Sequence, residues 1–123
     1  MYTEYSTNSG EEIKIFKYRG AIIGILENGI LRKEAYASKH MLQSPKGWAI
    51  QEYVFEEAKE LKAKWVCIRD LESKYCYWAT FSDFNLRGYW FDRGFGRQVV
   101  LPLKWFIKLT DGDSPDQQLP LAF

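Results

Sequence analysis

The chain has 123 residues, 46% of them hydrophobic and 27% charged, with a formal net charge of +1. These values describe one soluble domain with a single core that needs no disulfide or metal staple, and they exclude a global field drawing in nucleic acid or acidic membranes. The one high entry is the aromatic share, 17%.

Residues 1–11 (MYTEYSTNSGE) are polar and carry no apolar run of signal-peptide type, so the sequence predicts a loosely ordered start and a cytoplasmic protein. Glu12 to Tyr18 alternates as a strand does. After Arg19-Gly20, the stretch AIIGILE-NG-ILRKEAY reads as a hairpin on an Asn28-Gly29 type I′ turn, placing Leu26 opposite Leu31 and Ile22 opposite Ala35. Strand is expected to about Ala37, with a helix over Leu31–Leu42 as the competing reading. Ala21–Leu26 is the longest aliphatic run and is far too short to span a bilayer.

Ser44-Pro45 carries a helix-start signature, and the principal helix is expected over about 46–63. Its apolar arc holds Ile50, Tyr53, Val54, Ala58 and Leu61. Lys64–Asp70 and Tyr75–Ser82 read as two strands around a turn at Leu71–Lys74. A loop at Leu71-Glu72 pairs Cys67 with Cys76, and a loop at Glu72-Ser73 moves each pair by two. In both registers Trp65 and Trp78 share a face with the cysteines, so both faces of the hairpin are apolar and one is left over for a cover or a binding surface. A capped helical turn is expected at Ser82–Gly88. Strands follow at Tyr89–Asp92, Gln98–Leu101 and Leu103–Leu109, with Pro102 suggesting an edge or a bulge. Residues 110–123 form a turn-rich acidic tail with an apolar end at Leu119–Phe123 that can dock on the domain. The fold class is therefore α+β: a mainly antiparallel sheet of about six strands on one principal helix, in a single domain.

Candidate chemistry is sparse. Glu57 falls inside the apolar arc, and a carboxylate kept from water without a partner gains the raised pKa that a general acid needs. The plainer reading is a glutamate at the rim of the arc, reaching solvent or pairing with a lysine or arginine from the sheet. His40 is the only histidine, so a zinc site would need it, both cysteines and a carboxylate together, and neither a metal nor a cofactor is expected. Cys67 and Cys76 lack CxxC spacing and read as packed thiols of a reducing compartment. Asp70-Leu71-Glu72-Ser73-Lys74 superficially carries the carboxylates and lysine of metal-dependent nucleases, but it lies in a turn and ordinary turn polarity accounts for it.

The strongest feature is the span Tyr75–Phe106, in which eleven aromatic residues interleave with Arg87, Arg93 and Arg97 and with Gly88, Gly94 and Gly96. Arg93-Gly94-Phe95-Gly96-Arg97 can bring backbone and arginines close to an anion, with Phe95 at its tip. Arg87, Trp90 and Trp78 complete the expected surface. A non-enzymatic module binding a protein partner, a second copy of itself or single-stranded nucleic acid is the leading expectation. The alternative is a ligand-binding or hydrolytic pocket around Glu57 and His40.

Overall fold

The computed structural model describes residues 2–8, 11–37, 46–92 and 96–115, with only the backbone for 2–8, 11 and 12. Asn28 and Gly29 take φ of 53° and 76°, the two left-handed residues that a type I′ turn requires. They join β3 (Ala21–Glu27) to β4 (Ile30–Ala35), with Leu26 opposite Leu31. Before them, β2 (Glu11–Tyr18) pairs antiparallel with β3 and also with β1 (Tyr2–Asn8). A strand therefore stands where a polar composition suggested a loose end. The tyrosines and threonines of that segment have the β preference that polarity alone overlooks.

After residue 46 the chain enters β5 (Gly47–Gln51) and then α1 (Glu52–Glu60). Residues 46–51 were expected to be helical. Trp48, Ala49 and Ile50 are instead buried on both faces of a strand, and a continuous apolar run does not reveal which period it follows. Ser44-Pro45 lies outside the described residues. The helix ends because Lys62 turns left-handed, with its N–H donating to Lys59 O and that of Ala63 donating to Ala58 O.

β6 (Trp65–Asp70) and β7 (Tyr75–Thr80) form the second hairpin. Cys67 lies opposite Trp78 and Arg69 opposite Cys76, the register of a Glu72-Ser73 loop. Then come α2 (Phe81–Arg87), β8 (Tyr89–Asp92), β9 (Arg97–Pro102), a 3-10 turn at Leu103–Trp105, and β10 (Ile107–Thr110). The strand expected over Leu103–Leu109 thus begins as a 3-10 turn, and β10 starts only at Ile107. Pro102 marks no edge: it closes β9, the central strand of a smaller sheet.

The protein is α+β and mainly antiparallel, with two sheets instead of one. Seven strands run in the order β1-β2-β3-β4-β6-β7-β10, and three in the order β5-β9-β8. Among the described residues the single parallel pairing is β4 on β6, made by the chain returning after β5 and α1. One face of the large sheet (Phe16, Leu26, Leu31, Val66, Ile68, Ala79) is covered by Val54, Phe55 and Ala58 of α1. Trp48, Ile50, Val99 and Leu101 of the small sheet, with Phe81 and Phe84 of α2, complete that cover. On the opposite face Cys67, Cys76, Trp78 and Leu109 make a second, smaller cluster against Trp65, Ile30 and Ile107.

The register of β2 on β3 shifts between Phe16 and Lys17, leaving Ile23 as an extra residue. Ile23 turns into the core, and Ile22 is left 56% exposed instead of opposing Ala35 as the plain hairpin predicts.

Candidate functional site

The aromatic–arginine segment is divided by the alternation of β8. Tyr89 and Phe91 point to one side of the small sheet and Trp90 to the other, where its ring lies 5.5 Å from that of Phe55 in the core. On the outer side, Leu86, Tyr89, Phe91, Pro102 and Trp105 line a shallow groove of about 670 Å³ together with Arg87 and Lys104. Leu86 is 74% and Tyr89 54% exposed, unusual for an apolar and an aromatic side chain side by side.

Local structure fixes the walls of this groove. Thr80 caps α2 by accepting from the Asp83 N–H at 3.1 Å, and Asp83 in turn holds the Arg87 guanidinium at 3.2 Å. Arg87 then lies 4.0 Å from the centroid of Trp105, with the Lys104 ammonium 5.3 Å from the same ring. Gly88, at which the capped turn was expected to end, closes α2 with an extended φ of −72° and ψ of 150°. Its lack of a side chain still matters. A Cβ there would sit 2.4 Å from a Val99 methyl and 2.6 Å from Phe84 O, so only glycine lets α2 run directly into β8. Among the described residues β8 pairs with β9 alone, leaving its other backbone edge open beside the groove.

The remaining expected binding residues do not all meet there. Arg97 packs over Trp90 at 4.8 Å and pairs with Glu52 at 3.2 Å on the α1 side of the sheet. Trp78 lies on the far face of the large sheet and is 3% exposed. Arg93, Phe95 and His40 lie outside the described residues, as does the tail's apolar end. Leu86, Tyr89, Lys104 and Trp105 were not singled out from sequence. The signal was Pro102 at the end of β9 followed by Leu-Lys-Trp, where the chain leaves the strand and brings Trp105 against Arg87 of α2.

The polar candidates are held in structural contacts. Glu57 accepts from Lys14, which points inward from β2 and is buried. Asp70 ends β6, and its carboxylate takes hydrogen bonds from Ser73 Oγ (2.6 Å) and from the Glu72 and Ala37 N–H groups. Burial alone would raise its pKa, but those hydrogen bonds outweigh it and hold the carboxyl below the usual range. Burial, reinforced by neighbouring Cys76, pushes the Cys67 thiol up to about 12, and burial with Asp111 also raises Cys76. Neither is a thiolate at neutral pH. Among the described residues no group of three or more His, Cys, Asp or Glu side chains gathers to hold a metal ion.

Lys33 is a further inward lysine, whose ammonium reaches from β4 to donate to Ala49 O of β5 at 2.7 Å. Burial lowers its pKa from 10.5 to about 8. The unfolded chain therefore holds this proton more tightly, so stability gains as pH rises from about 8 to 10.5 and carries the full penalty below that window. Lys33→Met should raise stability at pH 7 by about 1–3 kcal/mol, an advantage that shrinks as pH rises. Urea titrations of both proteins across that pH range check this. A constant gap would show that desolvation of the amine is not the cause.

Comparison with models of protein families, with curated proteins and with solved structures finds no match to this chain. No helix among the described residues is long and apolar enough to cross a membrane.

Proposed function

We propose that this domain is a non-enzymatic binding module, and that its groove takes an extended, acidic segment of a partner protein alongside β8. The observation that carries this reading is the open β8 edge beside an exposed apolar groove whose charged lining residues, among the described residues, are Arg87 and Lys104. A strand added to that edge supplies backbone hydrogen bonds, while Leu86, Tyr89 and Trp105 meet alternate side chains. Lys104, with Arg87 beside it on Asp83, favours glutamate or aspartate on the incoming segment. Single-stranded nucleic acid fits less well, because Trp105 already carries cations on its ring and Trp90 faces the core, leaving few free platforms for stacked bases. The free thiols Cys67 and Cys76 suit a reducing compartment, and we place the protein in the cytoplasm.

A fluorescein-labelled peptide alternating glutamate with valine serves as the probe, with its lysine-for-glutamate counterpart and oligothymidylate as comparisons. Anisotropy should report binding of the acidic peptide, weakened about tenfold or more by Leu86→Glu with Lys104→Glu. Amide shifts should concentrate in 86–92 and 103–105. Tighter binding of oligothymidylate, or equal binding by the double variant, would defeat the reading. A dimer abolished by the same substitutions would make a second copy the occupant.

A further inference from the structure

We infer that a second site, a cleft on the opposite face of the large sheet, binds a small organic acid with an apolar body. The cleft has a volume of about 360 Å³, within the range of small-molecule sites. Its apolar lining comes from Ile22, Ile25, Cys67 and Cys76. The register shift in β3 creates this surface: one extra residue sends Ile23 inward and leaves Ile22 beside the cleft with Ile25. The two thiols are protonated at neutral pH, so the lining between the arginines is uncharged.

The polar groups around the cleft differ in how far they are already satisfied. Arg69 donates to Glu34 at 3.0 Å and to Asp111 at 2.9 Å, so one arginine is shared between two carboxylates and its donors are committed to them. Asp111 also accepts from the Cys76 thiol at 3.6 Å. Arg32 is different. It makes no ion pair among the described residues, and its guanidinium stands 5.6 Å from the Trp78 ring. A guanidinium braced on an aromatic ring, with its fork of N–H groups uncommitted, is suited to a bidentate carboxylate. The geometry thus supplies an anchor for one negative charge and an apolar bed for the rest of the ligand. A cationic ligand seated on the apolar bed would meet the like charge of Arg32, while Glu34 and Asp111 stay turned to Arg69.

The site is separate from the β8 groove, and its test is independent of it. Sodium octanoate is the probe, compared with n-octanol and octylammonium, which keep the chain and change the head. Octanoate should bind saturably, one per chain, with amide shifts at Ile22, Ile25 and Arg32 and a change in tryptophan emission from Trp78. Octanol should bind about tenfold more weakly or worse, octylammonium not at all, and Arg32→Gln should lose about tenfold or more in octanoate affinity. Arg32→Lys should recover only part of that loss, because it restores the charge without the fork. Should Arg32→Gln disturb folding through Trp78, Ile22→Glu, at an exposed position, should abolish octanoate binding instead. Equal affinity for octanol and octanoate, retention of binding in both variants, or shifts confined to 86–92 and 103–105 would overturn the inference.

Discussion

Gly47→Ala should remove most of the stability of this protein. A Cβ at that position would lie 2.1 Å from Leu101 O and 2.8 Å from its carbonyl carbon, backbone atoms that cannot swing aside. Relief requires β5 and β9 to separate, and these strands carry Trp48, Ile50, Val99 and Leu101, all within 2% of full burial. Overpacking against side chains is commonly absorbed for about 1–3 kcal/mol, whereas a clash with the backbone of a core ladder should cost about 4 kcal/mol or more. Urea unfolding followed by circular dichroism measures this directly. An alanine variant with the wild-type midpoint would show that the strands do not approach as closely as described.

Glu57→Gln should come second. It removes the carboxylate that faces Lys14, an ammonium whose side chain is only 7% exposed, while Glu57 itself remains 38% exposed. Removing one side of a buried pair leaves the other charge less compensated, at about 3–5 kcal/mol when both partners are enclosed. With Glu57 partly in water, a loss of about 2 kcal/mol is expected. Lys14→Met combined with Glu57→Met should recover part of it, since two apolar side chains leave no charge to desolvate. A double variant weaker than the sum of the two single ones would contradict this account. The pair also bears on chemistry, because a glutamate held by a lysine from the sheet serves the fold first.

What could be read from the sequence was local. Asn28-Gly29 announces its turn through backbone stereochemistry, and alternation puts Cys67, Cys76, Trp65 and Trp78 on one face in either register. The failures are non-local. Nothing in GWAIQ distinguishes a doubly buried strand from the first turns of a helix, because its partner β9 lies some fifty residues away. The parallel pairing of β4 with β6 was likewise invisible, since it depends on where the intervening segment packs. The candidate site was half legible. The aromatic–arginine density was plain, but alternation along β8 and the turn at Leu103–Trp105 decide which members face outward. They replace the expected partners of Arg87 with Leu86, Tyr89, Lys104 and Trp105.

The chain leaves the large sheet twice, once between β4 and β6 and again between β7 and β10. The first excursion contributes one strand to the small sheet, β5, and the second contributes the other two. β5 therefore has no ladder partner until residues 97–102 have been made and brought back, however early the β2–β4 hairpins form. Closing so long a loop is slow in entropic terms and is rewarded only at the end. The small sheet acts as a clasp over the core, and its amides in β5 and β9 should exchange with solvent only when the whole domain opens.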